Sequence, residues 1–150
     1  MKFDSVDEIL DFAIRKEQEA HDFYTDIANK AKREPIKQIF LGYALEELGH
    51  KSKLEAVKGG KIMLSSEQKV MDLKLGDALV DIEVAPDLKY QDALILAMKA
   101  EKNAFMLYNN LADVAPNATV KDIFLGLAQE EAKHKLRFEL EYDEYILTEN

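Results

Sequence analysis

Glu17, Glu47 and His50 recur 84 positions later as Glu101, Glu131 and His134, so the chain carries one set of potential metal ligands twice. Each half holds a lone Glu and, thirty residues on, a Glu-x-x-His. Carboxylates and imidazoles suit iron and manganese, and zinc fits the same donors. Two single glutamates with two Glu-x-x-His pairs, one contribution from each of four helices, make a set that holds two metal ions inside a bundle. Any metal must use such groups, because the sequence has no Cys and so no thiolate ligand, thiolate nucleophile or iron–sulfur cluster.

The register of the repeat extends well past the ligands. At the same offset Leu10, Ala13, Ala20, Tyr24, Phe40, Leu41, Gly42, Ala44 and Glu46 match Leu94, Ala97, Ala104, Tyr108, Phe124, Leu125, Gly126, Ala128 and Glu130. Such a period is far longer than that of a stacked array, so two halves form one pseudo-symmetric unit.

Apolar residues spaced alternately by three and four place the elements. The first helix carries Val6, Leu10, Ala13, Glu17, Ala20, Tyr24, Ile27 and Ala31, after a capping box at Ser5-x-x-Glu8. The second carries Ile36, Phe40, Tyr43, Glu47, His50, Leu54 and Val57, opening near Pro35 and stopping at Gly59-Gly60. The third and fourth repeat them, with a turn at Pro116-Asn117 between. Helices are expected over about 6–32, 35–58, 89–115 and 118–147, in a single domain spanning 1–150. The fold expected is all-α: two antiparallel hairpins joined by a crossover of about thirty residues, long enough to span the bundle, with Leu73, Leu75, Leu79, Val80, Ile82 and Val84 packing it on the surface.

All six ligand candidates stand on these apolar seams. An ionised carboxylate facing a core costs several kcal/mol unless it is compensated, and four together repel one another. Two divalent cations would neutralise the four glutamates. The midpoint of Glu17 and Glu47 is residue 32, and that of Glu101 and Glu131 is 116, both at expected turns, so the ligands of each hairpin sit at one height near mid-bundle. Glu47 and Glu131 are placed to bridge both ions, His50 and His134 to cap one each, and Glu17 and Glu101 to be terminal carboxylates. Glu46 and Glu130 are expected to face solvent or support a ligand from behind. Tyr24 and Tyr108 lie two turns beyond the terminal glutamates, placed either to hydrogen-bond a ligand carboxylate or act as redox-active neighbours, or else to be core tyrosines with satisfied hydroxyls. His21, matched by Phe105 in the second half, is read as a flank residue.

Composition bounds the partners. Hydrophobic residues make up 47% and charged ones 33%, with six Gly and three Pro, as in a helix-rich globular chain. A formal net charge of −9 opposes nucleic acid and anionic lipid. No apolar run approaches the ~18 residues of a membrane span, and the start lacks a signal-peptide apolar core. A cytoplasmic location is expected.

The stretches AIRKEQEAHDFY and LEELGHKSKLE, their counterparts AMKAEKNAFMLY and AQEEAKHKLRFE, and the tail ELEYDEYI resemble the rubrerythrin branch of the ferritin-like superfamily over essentially the whole chain. The resemblance implies a ferritin-like four-helix bundle with two iron ions on Glu17, Glu47, His50, Glu101, Glu131 and His134. It implies a diiron oxidoreductase that reduces hydrogen peroxide or dioxygen, dimerises with itself, and takes electrons from an external protein such as a rubredoxin, since no Cys-ligated rubredoxin domain is present. A ferroxidase or iron-binding role, or a structural role for the metals, is the alternative. The family's helix three carries a second Glu one turn after the first. Here Ala104 stands there, so the ligand linked to redox-dependent iron movement is missing.

Overall fold

The computed structural model describes residues 2–3, 6–59, 71–72, 89–115 and 117–149. Within them lie four long helices, α1 (Val6–Lys30), α2 (Glu34–Lys58), α3 (Tyr90–Asp113) and α4 (Ala118–Glu149). At about 1.5 Å per residue they are rods of roughly 36 to 48 Å. Two-residue strands β1 (Lys2–Phe3) and β2 (Met71–Asp72) pair antiparallel, a bridge that the periodicity gave no sign of. Ser5, Gly60, Pro116 and the crossover's apolar residues lie outside the described residues.

The helix ends follow local chemistry. Pro35 sits in the first turn of α2, where its missing N–H costs nothing. Asn117 Oδ1 accepts the Val120 N–H at 2.9 Å and caps α4. α1 stops at Lys30, two residues before the expected end, and Ala31 closes the turn through its N–H on Ile27 O at 3.1 Å. Gly59 follows α2 as expected, but with φ −73° it does not use the left-handed conformation that favours glycine.

The apolar seams meet in two clusters. One joins Ile9, Leu10 and Ala13 of α1 with Leu54 and Val57 of α2, Leu107 and Leu111 of α3, and Val120, Phe124 and Leu127 of α4. The other joins Tyr24, Ile27 and Ala28 with Ile36, Phe40 and Ala44, Ala93, Leu94 and Ala97, and Phe138. The start of α1 thus lies with the ends of α2 and α3 and the start of α4. This fixes the directions: α1 is antiparallel to α2 and α3, and α2 runs parallel to α3. The chain leaves α2 at one end of the bundle and enters α3 at the other, the ferritin-like crossover. From Asp72 to Lys89 an extended chain reaches about 60 Å at most, more than the length of α3. No helix among the described residues is long and apolar enough to cross a membrane.

Candidate metal centre

Between the two apolar clusters lies a layer of six buried polar side chains: Glu17 of α1, Glu47 and His50 of α2, Glu101 of α3, Glu131 and His134 of α4. Each helix brings its residues inward on the same seam that packs the core, and the antiparallel pairing sets all of them at one height. Helical spacing i, i+3 puts each Glu and His of a Glu-x-x-His on one face.

The donor atoms form two sets. Glu17, Glu47, His50 and Glu131 bring one atom each within 4.8 Å of one another, and so do Glu47, Glu101, Glu131 and His134. Glu47 and Glu131 belong to both. His50 Nδ1 lies 2.7 Å from Glu131 Oε1 and 3.5 Å from Glu17 Oε2 and Glu47 Oε1. His134 Nδ1 lies 3.1 Å from Glu47 Oε1 and 3.4 Å from Glu101 Oε1.

One atom of each residue, Glu17 Oε2, Glu47 Oε1, His50 Nδ1, Glu101 Oε2, Glu131 Oε1 and His134 Nδ1, is buried without a hydrogen bond. His50 Nδ1 and Glu131 Oε1 are within hydrogen-bond distance but misaligned. Two donors each about 2.1 Å from a shared cation, at right angles, stand about 3 Å apart, and the short separations fit that pattern better than they fit hydrogen bonds. Buried polar atoms are seldom left unpaired. Six orphans converging from four helices fit two cations, with four donors for each.

The tyrosines close the layer crosswise. Tyr24 OH of α1 donates to Glu101 Oε1 of α3, and Tyr108 OH of α3 donates to Glu17 Oε1 of α1. Each terminal glutamate is thereby held by one oxygen while the other, Oε2, stays unpartnered. Both hydroxyls are satisfied, and burial first, then the nearby carboxylates, raises both phenols well above their ordinary range.

Electrostatics show what the cluster costs on its own. Burial, reinforced by the other carboxylates, pushes Glu47 and Glu131 well above the usual carboxylate range. Burial also pushes Glu101 up to about 8, against hydrogen bonds with Glu131 and Tyr24 that lower it. Burial alone would lower His50, but Glu131 and Glu17 outweigh it and raise it to about 9.

Glu46 is half-exposed, and its Oε2 lies 2.5 Å from His134 Nε2. Glu130 accepts from Lys133 Nζ at 3.2 Å and also brings an oxygen within 4.8 Å of donor atoms of Glu46 and His134. The Tyr43 ring stacks on the His134 imidazole at 4.1 Å and 25°, a contact the seam position of Tyr43 did not single out. His21 Nδ1 lies 2.9 Å from Ala44 O, apart from the ligand layer. Ala104 is partly buried against apolar neighbours, so no donor follows Glu101 after one turn. Glu141 is a buried carboxylate that the spacing did not mark. Tyr90 OH at 2.9 Å and Arg33 at 3.2 Å satisfy it, away from the centre.

A family model described as Rubrerythrin matches residues 8–71 and 92–150. A solved structure of a hypothetical protein from Pyrococcus furiosus is similar at 25% identity and TM-score 0.72, covering 93% of this chain and 89% of that one. A protein from Thermotoga maritima, provisionally named as ferritin-like and diiron-carboxylate, has 23% identity and TM-score 0.78, with 94% of this chain and 96% of that one covered, and shows the likeness of fold. No curated protein matches the chain.

Proposed function

The chain belongs to the rubrerythrin family, and on that premise we propose that it is a cytoplasmic non-haem diiron oxidoreductase that reduces hydrogen peroxide, or dioxygen, with electrons from a separate donor protein such as a rubredoxin. The observation that carries this reading is the pair of four-donor sets sharing Glu47 and Glu131. Two Fe(II) ions held there would supply two electrons together, enough with two protons to take one peroxide to two waters without release of a one-electron radical.

The residues have distinct tasks. Glu47 and Glu131 would hold the two ions in one unit, since each contributes to both donor sets. Glu17 and Glu101, each pinned by a tyrosine through Oε1, would hold one ion each. His50 and His134 would hold the ions against loss. The apolar clusters on either side keep bulk water from the layer.

Ala104 favours a second reading. Without a donor one turn after Glu101, no alternative ligand stands ready on α3, and a ferroxidase or iron-binding role needs none. Anaerobic loading with two Fe(II) per chain, then stopped-flow mixing with hydrogen peroxide or dioxygen, separates the two. Much faster oxidation by peroxide is expected. Faster oxidation by dioxygen moves the assignment to a ferroxidase, and slow reaction with both refutes a redox role.

A further inference from the structure

Glu46 and Glu47 are neighbours on α2 that serve different helices: Glu47 faces the core, while Glu46 reaches across to α4. Its Oε2 lies 2.5 Å from His134 Nε2. An ionised carboxylate only accepts hydrogen bonds, so Nε2 carries the proton, and Nδ1, aimed at Glu47 and Glu101, keeps its lone pair for a cation. The Tyr43 ring, stacked at 4.1 Å, holds the imidazole plane.

Among the described residues His50 has no such support: the carboxylates near it all approach Nδ1, and none bonds Nε2. The two halves of the repeat differ at this point. Glu130, the counterpart of Glu46, is held by Lys133 one turn along its own helix at 3.2 Å. The first half has Gly49 where the second has Lys133, so no lysine draws Glu46 away.

We propose that Glu46 is a positioning residue for His134, and that the Gly49/Lys133 difference makes the two subsites unequal, with the Glu101/His134 subsite binding its cation more tightly than the Glu17/His50 subsite. The inference rests on the metal-binding part of the proposed function. A carboxylate behind a ligating histidine orients the ring and raises its basicity, and its loss typically weakens metal binding 10- to 100-fold.

The test uses Zn(II), which is redox-inert, titrated into the metal-free protein against a competing chelator, with NMR of the imidazole N–H groups. The wild type is expected to take two ions of unequal affinity and to show a slowly exchanging imidazole N–H. Glu46→Ala should weaken the tighter ion by roughly 10- to 100-fold, leave the other unchanged and lose that N–H signal. Glu46→Gln, which keeps an acceptor but no charge, should fall between. Gly49→Lys, whose added Cβ meets nothing within 4 Å, offers Glu46 the kind of lysine that holds Glu130 and should weaken the same ion. Two ions of equal affinity in the wild type, or variants that change neither ion or both alike, overturn the proposal. A wild type that takes up no pair of ions overturns the metal reading itself.

Discussion

At the scale of single residues, the centre is a set of costs that one kind of partner removes. Because Glu47 and Glu131 each serve both donor sets, Glu47→Ala or Glu131→Ala should abolish binding of both ions, whereas Glu17→Ala should lose one; metal analysis after dialysis reads this directly, and unchanged content in either bridging variant refutes the assignment. The pH dependence follows from the shifted groups. Glu101 moves from 4.5 to about 8 and His50 from 6.5 to about 9, so the folded metal-free chain holds more protons than the unfolded chain across those windows. Stability then falls as pH rises through them. Thermal melting of chelator-treated protein should show a lower Tm at pH 9 than at pH 5, and a Tm that climbs over that range would contradict it. The inward placement of all six ligand candidates was legible from spacing, because a glutamate or histidine on an apolar seam, twice over, has no packing explanation. The Glu46–His134 bond was not legible, since it depends on which neighbour competes for each carboxylate after α2 and α4 have packed. Glu141 escaped notice for a like reason: its partners Tyr90 and Arg33 come from other helices.

Among the elements, the helices were legible because three-four alternation of apolar residues survives any tertiary arrangement. Their ends were less so. The true ends differ by up to two residues from expectation, where a terminal turn is decided by a single bond such as Ala31 N–H to Ile27 O. The β1–β2 bridge had no signal, since two residues are too few to show a period. The two hairpins open their second helices by different means, Pro35 in α2 and the Asn117 side chain in α4. Asn117→Ala should therefore cost about 1 kcal/mol, roughly 2–4 °C in Tm for a chain of this size, with metal content unchanged. If calorimetry shows no loss, the cap is not holding α4.

For the molecule as a whole, the ligand sets tie the hairpins together. The first set takes three residues from α1 and α2 and one from α4; the second takes three from α3 and α4 and one from α2. The tyrosine bonds cross the same boundary, Tyr24 to Glu101 and Tyr108 to Glu17. Each cation would thus bind only where both hairpins are folded and docked, so its binding free energy is folding free energy. An ion at a hundred times its dissociation constant adds about 2.7 kcal/mol, and two add about twice that, on the order of 10–20 °C for a chain of this length. The sign of the pH effect should also reverse, because binding displaces the protons that burial retains, so affinity rises with pH. Calorimetry at pH 7 with increasing Zn(II), and again after chelation, should show one transition whose midpoint climbs with free metal. Two separate transitions would mean that the hairpins melt independently, and a midpoint indifferent to metal would mean that the four inward glutamates are stabilised by something other than cations.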